Sequence, residues 1–495
     1  MHREDPHRPA ALRAHLAVNP SFRSDLSGTP RPLAHVWEHT VGSGYAPLAL
    51  RADWQGQMRR AHAELGFQHV RFHGILSDDM GTLITHADEP LYSFFNTDQI
   101  FDALLEMGVR PFVELSFMPW RLASGDGMVF RYKANITPPR DYADWAKLIR
   151  MLVGHWVERY GAAEVRRWPF EVWNEPNLKA FWTGTQADYF ELYRHTVREI
   201  KDIDPDLMVG GPSSAQNDWI PEFLEFCERE NLPADYVSTH HYPTDAFGQP
   251  GDDTLTQLAK SERGVLRERA VRARKDSNGR PLYYTEWNSS SNPRDSLHDE
   301  PYAAAFVAKT ALEAAEIVDG YAFWVVSDIF AENFYPSIPF HGGFGLLNIY
   351  GIAKPTYRAF ELMHGLGTAQ YEVTGSHPTV DAWVVEGRDD VTVFLTNHAL
   401  PRHPISAEEV RVTLAGALPP ARASITRVDA RHANAKHTWA QMGSPAYLSP
   451  DHVLAIEDAS RLTPEPIVWT AEKGTVTVEC ALPPHALASI RLEVR

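Results

Sequence analysis

Two glutamates in the sequence follow apolar runs and are placed to do acid–base chemistry. Glu175 ends the run in PFEVWNEPN, and Pro176 stops that run because it lacks a backbone donor. Glu286 ends a second run, PLYYTE. A carboxyl group near apolar rings acts as a general acid near neutral pH when burial raises its pKa. Glycoside hydrolysis needs two such groups, one to protonate the leaving oxygen and one to attack or stabilise the reacting carbon.

Structural roles are the alternative for both residues. Glu175 would then cap the next helix or pair with an arginine, and Glu286 would be an unpaired charge near the top of a core, which is unfavourable. The gap between the two carboxyls separates retaining enzymes (about 5–5.5 Å) from inverting ones (about 6.5–9.5 Å), and the residues alone leave both outcomes open. Strand alternation predicts that Tyr284, Glu286 and Asn288 share one face.

Histidines in the same regions raise the question of a metal. His240 and His241 are adjacent, so in a strand only one of them reaches a site. His73 precedes Asp78 and Asp79, which we interpret as a polar loop over the pocket. The sequence has no HExxH motif and no second ligand cluster, so we predict that neither a metal nor another cofactor takes part.

Eight short β-branched or aromatic runs alternate with amphipathic stretches between about residues 34 and 366. The runs are HVWEHTV, HVRFHGIL, RPFVELSFMP, PFEVWNEPN, LMVGGPSS, YVSTHHYP, PLYYTEWNSS and YAFWVVSD. This alternation predicts a (β/α)8 TIM barrel, whose chemistry lies at the C-terminal ends of the strands. The two glutamates follow the fourth and seventh runs and so face each other across the mouth. A doubly wound sheet is disfavoured because GSG at 42–44 lacks the GxGxxG spacing.

The pattern of apolar and polar residues changes after residue 366. Segments such as TVDAWVVEGRDDVTVFLTNHA and LASIRLEVR alternate apolar and polar residues between turns, which predicts a small antiparallel β-sandwich. We therefore expect a catalytic barrel over 31–366 and a sandwich over 367–495 with an irregular insertion around 430–468. Residues 1–30 are an unassigned segment that is a candidate to join the sandwich.

Composition narrows the class of protein. The net charge of −17 disfavours nucleic acid and anionic membranes as partners, because both would repel an acidic surface. Cys227 and Cys480 are too few and too distant for a disulfide framework. The N-terminus lacks a secretory apolar core, and no stretch of about 20 residues is apolar enough to span a membrane. These features predict a cytoplasmic enzyme.

Several motifs together resemble glycoside hydrolase family 39 of clan A, which contains β-xylosidases and α-L-iduronidases. The resemblance runs from about residue 36 onward through RFHGILSDDMG, RPFVELSFMP, WPFEVWNEPNLKAFW, VSTHHYP, YYTEWNSS and FHGGFGLLN. NEP alone is shared widely within the clan. NEPNLKAFW with SFMP and HGGFGLL is more specific, and it is similar to the bacterial β-xylosidases.

The resemblance implies a retaining exo-acting β-1,4-xylosidase that releases xylose from xylo-oligosaccharides. It implies Glu175 as acid/base and Glu286 as nucleophile. The implied pocket residues are His73, Phe117, Asn174, His240, Tyr242, Trp324 and Glu332. In the family, the counterpart of Asn174 holds the sugar 2-hydroxyl, a contact that strengthens in the transition state.

Other functions on the same scaffold remain as alternatives. They are α-L-iduronidase-like, α-L-arabinosidase or β-glucosidase activity and a carbohydrate-binding barrel without catalysis. An iduronidase should offer a cation to the substrate carboxylate, for which Lys133 and Lys179 are candidates. Some family members hold a tetramer through an extension after the last strand. The sequence ends at IRLEVR, so we expect a monomer or small homo-oligomer.

Overall fold

The computed structural model describes residues 19–245, 251–333 and 335–494. Most of the segment 1–30 that the sequence left unassigned, residues 1–18, lies outside these ranges. The described chain forms a closed parallel barrel and two sheets packed face to face. The predicted fold class, a TIM barrel with a β-sandwich, is therefore confirmed.

Eight strands close the barrel in sequence order, and every neighbouring pair is parallel. They are β1 (Thr40–Tyr45), β2 (His69–His73), β3 (Arg110–Leu115), β4 (Phe170–Val172), β5 (Val209–Ala215), β6 (Tyr236–His240), β7 (Leu282–Trp287) and β8 (Gly320–Phe323). Five of the eight predicted runs contain their whole strand, and the runs LMVGGPSS and YAFWVVSD each miss one terminal residue of theirs. The first run differs, since Val36–Glu38 is a 3₁₀ turn and β1 begins only at Thr40.

Helices connect the strands and cover the barrel. They are α1 (Ala52–Leu65), α2 (Phe95–Glu106), α3 (Tyr142–Tyr160), α4 (Ala162–Val165), α5 (Gln186–Ile203), α6 (Ile220–Arg229), α7 (Thr254–Lys260), α8 (Val265–Asp276), α9 (Pro301–Ala314) and α10 (Pro355–His364). Helix α5 starts at a capping box between Thr185 and Asp188, which satisfies two free backbone N–H groups. Short two-stranded ribbons at Leu83–His86 with Glu89–Tyr92, and at Met128–Val129 with Ala134–Asn135, lie in the loops.

The sandwich consists of a five-stranded and a seven-stranded sheet. The first contains Val373–Thr374, Ser21–Asp25, Glu408–Ala415, Thr475–Leu482 and Trp469–Glu472. The second contains Arg31–Pro32, Ala369–Tyr371, Val380–Glu386, Asp390–Asn397, Ala486–Glu493, Arg422–Val428 and Glu465–Pro466. Inward residues of both sheets share one apolar core. Ser21–Asp25 runs parallel to Glu408–Ala415, so the sandwich is not wholly antiparallel.

The insertion around 430–468 holds α11 (Ala435–Gln441) and α12 (Pro450–Ala459). Its Trp439 packs with Phe340 and Ile352 of the barrel, and Glu457 receives a salt bridge from Arg60 at 2.6 Å. The insertion thus braces the barrel near β8. Within the described residues, no helix is both long enough and apolar enough to cross a membrane.

Candidate active site

A pocket of about 260 Å³ lies at the C-terminal end of the barrel strands. Seven of the predicted site residues line it: His73, Asn174, Glu175, Tyr242, Glu286, Trp324 and Glu332. The other two, Phe117 and His240, are fully buried behind this lining. The structure therefore brings all nine predicted site residues into one region, with seven on the pocket wall and two buried behind it.

Glu175 projects from the turn that follows β4. Trp173 and Glu175 both adopt positive φ, at 72° and 44°, a conformation that is rare for such side chains and is concentrated at functional sites. The Glu175 side chain is nearly buried, and its Oε1 lies 2.9 Å from Nδ1 of His240. Burial raises the pKa of Glu175 to about 7, although the nearby charges of His73 and Arg71 oppose the rise.

Glu286 reaches the pocket because β7 is irregular. The register with β6 shifts between Thr239 and His240, and the register with β8 shifts between Tyr284 and Trp287. The shift breaks simple alternation, so Thr285 and Glu286 both make contacts inside the barrel. Tyr284 instead lies against Tyr321, 5.4 Å between ring centres. The prediction that Tyr284 shares a face with Glu286 is therefore wrong.

Both carboxylate oxygens of Glu286 accept a hydrogen bond. Arg71 donates from Nη1 to Oε1 at 2.7 Å, and the hydroxyl of Tyr242 donates to Oε2 at 3.0 Å. These donors hold the group as a carboxylate and fix its orientation. One oxygen of Glu286, one oxygen of Glu175 and a ring nitrogen of His240 all lie within 4.8 Å of one another.

Arg71 is the fully buried centre of the charge network under the pocket. Its guanidinium contacts Glu114 at 2.8 Å and Glu171 at 2.5 Å, in addition to Glu286. It also donates to Oδ1 of Asn174 at 3.0 Å. Burial opposes its charge, but the three carboxylates outweigh that effect and raise the pKa of Arg71 further. Arg71, on β2, thereby connects three other barrel strands, β3, β4 and β7.

His73 carries the second positive charge of this network. Its Nδ1 lies 2.7 Å from Glu114, and its Nε2 lies 3.6 Å from Glu286 and 3.5 Å from Glu332. Burial disfavours the charged ring, but Glu114 and the other carboxylates outweigh it and raise the pKa of His73 to about 9. Phe117 packs beside His73, with 5.9 Å between ring centres, and so supports the ring from below.

Two further acids face the pocket with altered pKa values. Burial raises the pKa of Glu332 to about 8. The charge of His73 opposes this rise, and the neighbouring carboxylates Glu286, Glu114 and Glu175 add to it. Burial likewise raises the pKa of Asp245 to about 8, although its carboxylate accepts a hydrogen bond from the backbone of Tyr242. Near neutral pH the pocket therefore presents several protonated carboxyl groups, which suits donation to sugar oxygens.

The triad of Glu175, His240 and Glu286 has the residue types of a metal site but not its free donor atoms. The His240 ring uses Nδ1 for Glu175 and Nε2 for the Thr285 hydroxyl. Both oxygens of Glu286 already accept from Arg71 and Tyr242. The charge of Arg71 would also repel a cation. The residues do not fit a metal, and metal-free chemistry stays our prediction.

Comparison with known proteins identifies the family of this chain. The family model "Glycosyl hydrolases family 39" matches residues 23–477. The chain belongs to glycosyl hydrolase family 39. Curated relatives include a β-xylosidase of Caldicellulosiruptor saccharolyticus, 44% identical over 92% of this chain and 95% of that protein. A β-xylosidase of Geobacillus stearothermophilus is 34% identical over 92% of each chain.

Solved structures agree with the family assignment. The crystal structure of a monomeric β-xylosidase from Caulobacter crescentus CB15 superposes with a TM-score of 0.84 at 32% identity, covering 96% of this chain and 99% of that one. The family 39 chain is thus a glycoside hydrolase that acts on a glycan.

Two lysines considered for an acidic sugar lie elsewhere in this family 39 chain. Lys179 donates to the backbone oxygen of Gly184 at 2.7 Å. Among the described residues that line the pocket, none is a lysine or an arginine, so Lys133 is not on its wall either. A larger depression of about 760 Å³ lies on the five-stranded sheet, and two of its charged residues, Arg411 and Glu479, pair with each other. The reactive groups are concentrated in the smaller pocket.

Five polar residues of the site were not predicted from the sequence: Arg71, Glu114, Glu171, Asp245 and Thr285. A signal was present for three of them. Arg71, Glu114 and Glu171 are charged residues inside apolar strand runs, and a charge that must be buried needs a partner. Arg71 also lies two residues before His73 on one strand, which puts both on the same face.

Proposed function

We propose that this family 39 enzyme is a retaining exo-β-1,4-xylosidase that releases xylose from the non-reducing ends of xylo-oligosaccharides. The observation that carries the proposal is the pairing of Glu175 with Glu286, whose nearest oxygens lie within 4.8 Å. Oxygens this close support the carboxyl spacing of about 5–5.5 Å in retaining enzymes over the wider spacing of about 6.5–9.5 Å in inverting ones.

The two glutamates have opposite environments, which supports different roles. Glu175, with its pKa raised to about 7 by burial, holds a proton for the leaving oxygen. Glu286 is held as a carboxylate by Arg71 and Tyr242 and attacks the anomeric carbon. The attack gives a covalent glycosyl ester on Glu286, and Glu175 then removes a proton from the water that hydrolyses it.

Asn174 is suited to hold the sugar during this reaction. Because its Oδ1 accepts a hydrogen bond from Arg71, its amide nitrogen is the group left to donate to the 2-hydroxyl. Trp324 and Phe344 supply flat apolar walls in the same pocket. The volume of about 260 Å³ is below the roughly 300–1,000 Å³ of sites for larger ligands, which supports binding of one terminal sugar.

Relatives named β-xylosidases support the xylose assignment. We test it with aryl glycosides of β-xylose, β-glucose, α-L-arabinofuranose and α-L-iduronic acid. The β-xyloside should have the highest kcat/KM. The iduronide should be poor, since no described lysine or arginine lines the pocket. A preference for the glucoside, arabinofuranoside or iduronide would refute the substrate assignment and leave the reaction class intact.

We also propose that the enzyme is cytoplasmic and a monomer or small homo-oligomer. Cys227 and Cys480 are both free and buried, which fits a cytoplasmic enzyme. A relative of similar fold is described as monomeric, which fits a monomer or small homo-oligomer here. Sedimentation velocity across a hundredfold range of concentration tests the second point, and a stable tetramer would contradict it.

A further inference from the structure

A continuous chain of buried hydrogen bonds connects Arg71 to Glu175. Arg71 Nε donates to Glu171 Oε2 at 2.5 Å, and the hydroxyl of Thr285 donates to Glu171 Oε1 at 2.8 Å. The same hydroxyl oxygen lies 3.0 Å from His240 Nε2, and His240 Nδ1 lies 2.9 Å from Glu175 Oε1. None of these residues exposes more than 8% of its surface.

The donor and acceptor of each hydrogen bond in this chain can be assigned in order, starting from Arg71. Arginine only donates, so Oε2 of Glu171 accepts there, and Oε1 of Glu171 accepts the single proton of the Thr285 hydroxyl. The Thr285 oxygen must then accept in its contact with His240. It follows that Nε2 of His240 carries a proton.

The position of that proton decides what His240 offers to Glu175. Burial lowers the pKa of His240 to about 4, with Arg71 acting in the same direction and Glu286, Glu171 and Glu114 opposing, so the ring is neutral near pH 7. A neutral imidazole with Nε2–H has a lone pair on Nδ1. The contact of 2.9 Å between Nδ1 and Glu175 is then a hydrogen bond only if the carboxyl of Glu175 donates.

We propose that Thr285 and Glu171 are positioning residues that fix the His240 tautomer and thereby keep Glu175 protonated in the resting enzyme. This inference rests on the proposed acid/base role of Glu175. The His240 tautomer adds a means of keeping Glu175 protonated that the two carboxylates alone do not provide.

Other charged groups also face Glu175. His73 and Arg71 favour its ionised form, whereas Glu114 disfavours it. Glu286, Glu332, Asp245 and the hydroxyl of Tyr242 line the same pocket. The His240 contact differs from these because it depends on which ring nitrogen carries the proton, so it can be altered without changing any charge.

The same arrangement serves both halves of the reaction. When Glu175 gives its proton to the leaving oxygen, its carboxylate faces the lone pair on Nδ1, and the two acceptors repel. The ionised form is thereby disfavoured, so Glu175 readily takes a proton from the attacking water as the glycosyl ester on Glu286 is cleaved. The proton lost in the first step is thus recovered in the second.

Substitution of Thr285 tests the device. In Thr285→Val, Nε2–H loses its acceptor, so the other tautomer becomes favoured and Nδ1–H donates to an ionised Glu175. The alkaline limb of the pH profile of kcat/KM for xylobiose should shift to lower pH by about 1–2 units, because a hydrogen bond to a charged group changes a pKa by about that much. Thr285→Ser keeps the hydroxyl and should restore the limb to the wild-type position. An unshifted limb in a folded Thr285→Val variant overturns the proposal, as does a shift in Thr285→Ser equal to that in Thr285→Val.

A measurement on the wild-type enzyme does not depend on how the variants fold. Nitrogen-15 NMR with labelled histidine, with the His240 signals identified from their loss in His240→Gln, reports which ring nitrogen is protonated. We expect the neutral Nε2–H form at pH 6–7. A charged ring or the Nδ1–H form contradicts the proposal. Because this NMR measurement involves no catalysis, its outcome does not depend on the acid/base role of Glu175. That role is tested separately by the dependence of activity on the leaving group.

Discussion

Arg71 Nη1 donates to Glu286 Oε1 over 2.7 Å, and the arginine side chain has no exposed surface. The same guanidinium contacts Glu114 and Glu171, so one cation pairs with three buried carboxylates. A carboxylate held in this way needs no proton exchange to act as a nucleophile, because its charge and direction are already set. Arg71 therefore links the stability of the barrel to the reactivity of Glu286.

Arg71→Met should be strongly destabilising for this reason. Removing one partner of a buried ion pair typically lowers the free energy of unfolding by about 3–5 kcal/mol, since the remaining charge has no partner. Urea unfolding measures the change. Arg150→Met is the matched control because Arg150 pairs with Glu199 but is 64% exposed, so its loss should change stability by no more than about 1 kcal/mol. Equal losses in the two variants would refute the role of burial.

Glu175→Ala should affect substrates according to their leaving groups. Dinitrophenyl xyloside hardly needs a proton, so formation of the glycosyl ester stays fast, hydrolysis of the ester becomes limiting, and the apparent KM falls. Xylobiose should lose more than the roughly 10²–10⁴-fold typical of general acid–base catalysis. Added azide needs no base and should restore turnover to give β-xylosyl azide. Uniform loss on all substrates without azide rescue would assign Glu175 another role.

The sequence predicted the barrel and the two glutamates because both leave strong local signals. Eight apolar runs with intervening helices fit one architecture, and the strand-end motifs around Glu175 and Glu286 mark the mouth. The contacts of Thr285 were not predictable in this way. They depend on the register shifts of β7, and alternation assigns the wrong face after such a shift.

The insertion at 430–468 shows the same limit. Its helices have little apolar periodicity of their own, and they are stabilised by contacts such as Trp439 on Phe340 that join residues far apart in sequence. Its place against the barrel therefore follows from tertiary packing.

Stability should fall as pH rises from about 6.5 to 8. Burial raises the pKa of Glu332 from 4.5 to about 8, so the folded protein keeps a proton that the unfolded chain has lost over that interval. One such proton changes the free energy of unfolding by about 1.4 kcal/mol per pH unit. Asp245 and His73 act in the same direction. Glu332→Gln cannot ionise and should flatten the decline of Tm with pH. Glu228→Gln, at an exposed site, is the control, and an unchanged slope in Glu332→Gln would contradict the shift.

Activity should follow the ionisation of Glu175. Because the acid must hold a proton in the first step and its pKa is about 7, kcat/KM for xylobiose should decline as pH rises through about 7. Dinitrophenyl xyloside, which needs little protonation, should show a weaker decline. The same alkaline limb for both substrates would mean that another group controls it.

Catalysis should not require a metal, since the donor atoms of Glu175, His240 and Glu286 are already engaged. Activity should survive extended dialysis against EDTA. The control is an equal dialysis without chelator. A loss that a divalent ion restores would refute this prediction.

Glu286 is expected to form the covalent intermediate, and trapping that intermediate tests this role most directly. A 2-deoxy-2-fluoro-β-xyloside with a dinitrophenyl leaving group should form the ester quickly and hydrolyse it slowly, because fluorine destabilises both transition states and the leaving group offsets this effect only in the first step. Peptide mass spectrometry after digestion should then locate one fluoroxylosyl group on Glu286. A label on Glu175, or turnover without any label and with α-xylose as the first product from the unfluorinated substrate, would contradict the account.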